Sequence, residues 1–106
     1  MKKIDVENIL DELRIPLGNI GYMYITDAVL MLDKNEETQA LLMYEVIAKK
    51  YGTTRQNVER AIRYASHMSY KQEQEIKEKF NLDCNITNKV VIYAIYREAK
   101  RRKENF

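Results

Sequence analysis

The chain has 106 residues, 45% of them hydrophobic and 32% charged, and its formal net charge is +2 at pH 7; this predicts one domain that folds without disulfides or a structural metal. Its single cysteine, Cys84, cannot form an internal disulfide, so a reducing cytoplasm is the expected setting. Because the sequence has no apolar run long enough to cross a membrane and no signal-peptide core after Met1, we expect neither membrane insertion nor export.

The first third of the chain predicts two amphipathic helices. Asp5 to Leu13 has apolar residues at helical spacing and acidic residues in its first turns, where the helix dipole favours negative charge. A proline and a glycine then interrupt the pattern, and a second helix is predicted from Gly21 to about Asp33. Its residues Tyr22 and Tyr24 could form a stacking platform, but without a basic strand beside them packing in the core or an interface is favoured.

Residues 43–68 have the pattern of two short helices joined at a glycine. Apolar residues recur at helical spacing on both sides of Gly52, which can adopt the left-handed conformation that ends a helix. The two threonines after Gly52 can cap the second helix through their hydroxyls. The pattern predicts a helix-turn-helix over about residues 41–68. Its inner face is expected to be buried and consists of Ile47, Ala48, Tyr51, Val58, Ala61 and Ile62.

The outer face of the second helix in this motif is polar. It carries Gln56, Glu59, Arg60, Arg63 and His67, of which Glu59, Arg60 and Arg63 are expected to be exposed. In a DNA major groove, arginine can bind a guanine edge and glutamate can accept from the cytosine amino group. The alternative is an ordinary solvated face. The complete two-helix pattern favours DNA binding.

Two further helices are predicted after the motif. Residues 70–80 have few large apolar side chains and predict a short exposed helix, followed by a loop over residues 81–88. Thr87 can cap a final helix with one apolar face. The cationic end of that helix, residues 100–103, suits the helix dipole without a ligand, and a phosphate contact is the sharper alternative. The whole prediction is an all-α single domain of about six helices over residues 1–106.

Charge is divided unevenly along the chain. Residues 1–46 hold 4 Lys/Arg and 9 Asp/Glu, net −5, whereas residues 47–106 hold 14 and 7, net +7. The basic half contains the motif. A polyanionic partner is therefore favoured, since phosphate neutralisation supplies most of the affinity that does not depend on sequence.

Catalytic and cofactor sites are not predicted. His67 is the only histidine and Cys84 the only thiol, so the sequence cannot assemble a His/Cys metal cluster, and a Cys–His pair would have to reach from a helix to a loop. The glycines do not have the spacing of nucleotide-binding loops. We expect neither an enzyme nor a cofactor or small-molecule substrate.

The run IAKKYGTTRQNVERAIRYA, residues 47–65, resembles the helix-turn-helix in the C-terminal output domain of the master sporulation response regulator of endospore-forming bacteria. Residues 15–29 resemble the first segment of that family, an Ile-Pro followed by Gly-Tyr-x-Tyr and a helix. Residues 86–102 resemble its last helix more loosely. The resemblance covers nearly the whole chain, and its most discriminating part is the run from Val58 to Arg63. It implies an all-helical fold and sequence-specific binding to double-stranded DNA.

The resemblance also implies which residues read bases. In the family, the glutamate and the first arginine of Val-Glu-Arg-Ala-Ile-Arg approach base edges, which assigns base readout to Glu59 and Arg60. Gln56 lies beside them on the same outward stripe and is predicted to take part. The residues before Val58 differ from those common in the family, so a different base preference is expected at the edge of the DNA site.

A second set of residues is assigned to phosphates. In the family, the second arginine of the motif and its follower lie by the phosphates, which assigns this role to Arg63 and Tyr64; Tyr64 replaces a histidine that is common there. Thr54 and Arg55 complete the predicted phosphate contacts, because the start of a helix can offer amide donors to a phosphate.

The family's regulators carry a receiver domain with a phosphoacceptor, and no aspartate of this chain can be assigned that role. Control is therefore expected to come from elsewhere, or the domain to work unregulated. The resemblance implies two copies that bind head to tail on adjacent DNA boxes, and we expect a monomer or weak dimer in solution. The alternative from another class is a helical protein-interaction module, a partner or antagonist of a related regulator, that acts through its acidic N-terminal half without binding DNA.

Overall fold

The computed structural model describes residues 1–68 and 70–104. Over these ranges the chain forms α-helices only, in the order α1 (Lys3–Glu12), α2 (Ile20–Lys34), α3 (Ala40–Tyr51), α4 (Arg55–Ser66), α5 (Tyr70–Phe80) and α6 (Asn88–Glu104). The predicted all-α architecture of about six helices is confirmed. Of the helices in these ranges, none combines the length and the apolar character needed to span a bilayer.

α2 and α4 lie at the centre of the fold. α2 contacts α1, α3, α4 and α6, and α4 packs against α2, α3 and α6. The tyrosines of α2, Tyr22 and Tyr24, are 2% and 3% exposed, which confirms the prediction that they pack in the core. One continuous apolar core therefore joins these helices, and its burial is the main stabilising contribution. Its largest fully buried side chains include Ile9, Leu10, Ile25, Leu32, Ile47, Ile62, Ile92 and Ile95.

The backbone of α2 approaches α4 closely at Gly21. A Cβ atom placed on Gly21 would lie 2.4 Å from the carbonyl oxygen of Ala61 and 2.7 Å from the Cβ atom of Ala65. Both distances are shorter than any carbon contact in a packed interior, so a side chain at this position would push the two helices apart. The side chain of Asn19 caps α2 by accepting a hydrogen bond from the Gly21 amide at 2.8 Å. Gly21 thus sets the distance between α2 and α4.

The turn between α3 and α4 depends on Gly52 and Thr54. Gly52 has φ 66° and ψ 39°, a left-handed conformation that glycine adopts without steric cost. Thr54 is extended, and its hydroxyl accepts a hydrogen bond from the amide of Asn57 at 3.1 Å. The predicted helix end at glycine and the predicted threonine cap are both confirmed.

All but two of the six inner-face residues of α3 and α4 are buried. The exceptions are Tyr51 and Ala61, which are half-buried, contrary to the prediction. Tyr51 lies at the edge of the core because its hydroxyl donates to the carboxylate of Asp27 at 2.6 Å, and Lys50 donates to the same carboxylate at 3.1 Å. Burial and the nearby carboxylate raise the pKa of Tyr51. This polar cluster ties the end of α3 to α2.

α5 is a helix as predicted, but it is not an exposed one. Ile76 is fully buried and Gln72 is 7% exposed, so one side of α5 covers the core. A single large apolar residue per turn is enough to anchor a short helix when it enters a core that other helices have formed. The final helix begins where predicted: the hydroxyl of Thr87 accepts from the amide of Val90 at 3.2 Å.

The cationic end of α6 is joined to carboxylates of the same chain. Arg102 donates to both oxygens of Glu12 at 2.8 Å, and Lys79 donates to the same carboxylate. The hydrogen bonds from Arg102 and Lys79 lower the pKa of Glu12 to about 2. The remaining pairs of this run are Lys100 with Glu36, both Arg101 and Arg102 with Glu98, and Lys103 with Asp5. Residues 100–103 therefore pair with carboxylates of the same chain, whereas the sequence analysis considered only the helix dipole and a phosphate.

We expect Glu12→Gln to lower the free energy of unfolding at pH 7 by about 0.5–1 kcal/mol, since the ion pairs are partly exposed and screened by water. Folding lowers the pKa of Glu12, so its stabilising contribution is present above the ordinary carboxyl pKa of about 4.3 and is lost as the pH falls towards 2. Urea denaturation as a function of pH measures this. The control is Glu78→Gln, an exposed carboxylate without an ion pair among the described residues. A stability difference that persists near pH 2 would contradict the prediction.

Candidate nucleic-acid interface

α4 presents a polar face opposite its buried one. Val58 and Ile62 are completely buried on the inner side, while Arg60 and Arg63 are exposed on the outer side. This confirms the predicted division between the two faces for both arginines. Glu59, in contrast, is half-buried rather than exposed. The prediction was wrong for Glu59 because the start of α6 lies against this part of α4.

Glu59 and Arg63 bind each other. The guanidinium of Arg63 donates to the Glu59 carboxylate at 3.1 Å, one helical turn away. Exposed pairs with this spacing contribute only about 0.3–0.5 kcal/mol. A ligand with its own hydrogen-bonding groups can therefore replace the pair at little cost, and both side chains remain available to nucleic acid.

Arg60 and Gln56 lie one turn apart on the exposed side of α4. Both are solvent-exposed, and in residues 1–68 and 70–104 Arg60 takes part in no ion pair. A guanidinium in this state presents its full set of donors to the solvent. Arg60 and Gln56 therefore both keep their side-chain hydrogen-bonding groups free for a ligand within the described part of the chain.

The residues predicted to contact phosphates lie at both ends of the α4 face. Thr54 is exposed at the start of the helix; its oxygen accepts the capping hydrogen bond and its hydroxyl hydrogen can still be donated. Arg55 is half-buried, and its guanidinium lies 3.5 Å from the carboxylate of Glu45 in α3. Tyr64 is 65% exposed, which is high for an aromatic residue. These positions flank Arg60 along the helix.

His67 does not belong to the outward stripe, which corrects the sequence analysis. It ends α4 and is half-buried, with Nδ1 3.0 Å from the carbonyl oxygen of Arg63 and Nε2 2.8 Å from the carbonyl oxygen of Ile86. Its side chain therefore occupies the end of α4 and connects it to the segment before α6. This is a structural role.

Sequence analysis did not identify the start of α6 as part of this surface. Asn88 is 7% exposed, and its side-chain amide donates to the backbone carbonyl of Glu59 at 2.9 Å. A cavity of about 280 Å³ lies between this end of α6 and the outer half of α4, with Arg63 on one wall and Lys89 on the other. Tyr44 also lines the cavity, and burial raises its pKa. Because Asn88 and Glu59 are far apart in the chain, no local pattern could indicate their contact.

Metal-binding geometry is not seen at this surface. Across residues 1–68 and 70–104, no group of three or more His, Cys, Asp or Glu side chains is arranged to hold a metal ion. The chemistry of the α4 face is that of hydrogen-bond donors and cations, with the Glu59 carboxylate as an acceptor. Such an arrangement suits binding to an anionic polymer that exposes polar edges.

One family model matches this chain over residues 6–99, and its description is "Sporulation initiation factor Spo0A C terminal". The match includes the whole of α2 to α5 and most of α1 and α6. It therefore covers the α4 face and the start of α6 together. No solved structure gives a significant match to the chain.

Proposed function

Because this chain belongs to the family of the sporulation initiation factor Spo0A C-terminal domain, we propose that it binds double-stranded DNA in a sequence-specific manner and regulates transcription. The family is a DNA-binding regulatory family and not a catalytic one. The observation that carries the proposal is the outer face of α4, where Arg60 and Arg63 are exposed on a helix whose inner face is completely buried. We propose no enzymatic activity, cofactor or small-molecule substrate.

In this proposal α3 and α4 act as a helix-turn-helix, over about residues 41–68, and α4 lies in the major groove. Arg60 has the donors for the O6 and N7 atoms of a guanine, and Glu59 can accept from a cytosine amino group once its pair with Arg63 opens. Gln56 is exposed one turn before Arg60 and can pair with adenine. These three side chains would supply base readout.

Phosphate contacts would come from both ends of the same face. Thr54 and Arg55 lie at the start of α4, where backbone amides and the positive end of the helix dipole favour an anion. Arg63 and Tyr64 lie near its other end. Contacts of this kind fix the position of a protein on the duplex and depend little on base sequence.

The proposal is tested by selecting duplexes from a random pool with the protein and measuring its affinity for the enriched duplex and a scrambled version by fluorescence anisotropy. Preferential binding of the enriched duplex by about a thousandfold is expected, at the low end of the usual range for specific over non-specific binding. Enrichment of no sequence, or equal affinity for both duplexes, would overturn sequence-specific binding.

The protein-interaction alternative is less well supported. It requires accessible carboxylates in the acidic N-terminal half, but Glu12, Glu36 and Asp5 all lie within ion-pair distance of cations from α5 or α6. These pairs neutralise part of the acidic charge that such a partner would recognise. The DNA-binding proposal rests chiefly on Arg60, which makes no ion pair within residues 1–68 and 70–104, and with it we propose that the protein acts on DNA in the cytoplasm.

We further propose that two copies bind head to tail on adjacent boxes and that the free protein is a monomer or weak dimer. One short recognition helix provides few base contacts, so pairing on DNA would raise specificity through a second set of contacts. Sedimentation measures the mass of the protein alone and with duplexes that hold one or two boxes. A tight, salt-resistant dimer in the absence of DNA is the result that would contradict this expectation.

A further inference from the structure

The start of α6 is fixed to α4 by two hydrogen bonds that involve side chains. The side-chain amide of Asn88 donates to the carbonyl oxygen of Glu59 at 2.9 Å, and Nε2 of His67 lies 2.8 Å from the carbonyl oxygen of Ile86. The first bond reaches the middle of α4 and the second its end. The start of α6 therefore has a defined position beside the outer half of α4.

The space between the two helices carries positive charge. The cavity of about 280 Å³ has the guanidinium of Arg63 on its α4 side and Lys89 on its α6 side. Its one carboxylate is Glu59, which pairs with Arg63 at 3.1 Å, so Arg63, Glu59 and Lys89 together carry one net positive charge. Lys89 is exposed and makes no ion pair within the described part of the chain; its ammonium lies 5.9 Å from the ring centre of Tyr93.

The first turn of α6 adds to this charge. Thr87 and the first two residues of α6, Asn88 and Lys89, form one wall of the cavity. The positive end of the α6 dipole therefore lies at that wall. The Thr87 hydroxyl accepts a hydrogen bond from the Val90 amide. This cap uses only one amide of the first turn, and it does not remove the positive end of the helix dipole. Helix starts with a cation beside them are common binding sites for phosphate groups.

Asn88 supplies an independent sign of a ligand. Its side chain is more than nine-tenths buried on the cavity wall, and its Oδ1 atom accepts no hydrogen bond from the described residues. Buried acceptors without a donor are rare in folded proteins. A small shift of this wall on binding would expose Oδ1 to a donor from the ligand or from its bound water, which would satisfy the orphaned atom.

We propose that this cavity binds a backbone phosphate of the DNA whose bases α4 reads, with Arg63 and Lys89 as its two cationic contacts. The inference rests on the proposed function and adds α6 to the DNA-binding surface. Because Arg63 belongs to the recognition helix, the phosphate held here lies at the edge of the major groove that α4 occupies. A contact from α6 would limit the rotation of the protein about the axis of α4, in addition to the contacts that α4 makes itself.

The test compares Lys89→Ala with Arg97→Ala, a matched control that removes an exposed cation farther along α6 with no ion pair among the described residues. Lys89→Ala should weaken binding to the enriched and the scrambled duplex several-fold and equally. It should also reduce the slope of log affinity against log salt concentration by about 1. Arg97→Ala should change neither quantity. Circular dichroism and thermal unfolding verify that both variants are folded.

Two outcomes overturn the inference. If the wild-type protein binds the enriched duplex but Lys89→Ala leaves affinity and salt slope unchanged, α6 does not contact DNA and the proposed function stands. If inorganic phosphate alone shifts the backbone NMR signals of Arg63 and Lys89 at low concentration while DNA does not, the cavity is a site for a free anion. Failure of the wild-type protein to bind any duplex is distinct from both, because it removes the proposed function itself.

Discussion

Gly21→Ala is expected to lower the free energy of unfolding by about 2 kcal/mol, although alanine normally stabilises a helix. Replacing glycine by alanine in a helix normally raises the free energy of unfolding by about 1 kcal/mol, because alanine has the higher helix propensity. The new methyl group, however, would lie 2.4 Å from the carbonyl oxygen of Ala61 in α4, and that backbone atom cannot move aside as a flexible side chain can. Overpacking of this kind costs about 3 kcal/mol, which exceeds the gain. Urea denaturation measures the loss, and the melting temperature should fall by about 8–16 °C.

Gly18 provides the matched control for this prediction. No atom lies within 4 Å of a Cβ atom added to Gly18, so Gly18→Ala should change stability by no more than about 0.5 kcal/mol. If Gly21→Ala were as stable as the wild-type protein, α2 and α4 would not be in the close contact described above. A larger side chain, as in Gly21→Val, should increase the loss.

Arg60→Ala should cost about 1–3 kcal/mol in binding to the enriched duplex and relax selectivity at one base pair. Arg60 is exposed on the outer face of α4, where its planar guanidinium can donate two hydrogen bonds to one guanine. Arg60→Lys should recover little of the affinity, because an ammonium group does not reproduce that geometry. Binding titrations on the enriched duplex and on single-base variants locate the base pair concerned.

Arg63→Ala serves as the comparison on the same helix. Loss of the Arg63 side chain should weaken binding to the enriched and the scrambled duplex about equally. It should also reduce the slope of log affinity against log salt concentration by about 1, as expected for a phosphate contact. Neither arginine belongs to the buried face of α4, so both variants should give the circular dichroism spectrum of the wild-type protein. Unchanged affinity in both folded variants would remove α4 from the DNA interface and favour the protein-interaction alternative.

Features that depend on neighbouring residues could be predicted from the sequence. The end of α3 at Gly52 and the caps by Thr54 and Thr87 require only a few residues with particular conformational or hydrogen-bonding properties. The helical repeat likewise separates the buried Val58 from the exposed Arg60. Most of the fold and the outward direction of the candidate DNA-binding arginines therefore follow from local chemistry.

Contacts between distant residues could not be predicted in the same way. Nothing near Gly21 shows that its missing side chain makes room for Ala61, and nothing near Asn88 indicates a bond to the backbone of Glu59. These features arise from tertiary packing, which outweighs local preference.

The position of α4, packed against α2, α3 and α6, has a thermodynamic consequence for binding. The helix is already formed, capped by Thr54 and anchored by its completely buried inner face, so none of its backbone has to become ordered on contact with a ligand. Coupled folding, by contrast, buries additional apolar surface and gives a large negative heat capacity change. Calorimetry of DNA binding over a range of temperatures should therefore find a heat capacity change that corresponds to the area of the interface alone. The conformational entropy of α4 is lost when the protein folds and not when it binds.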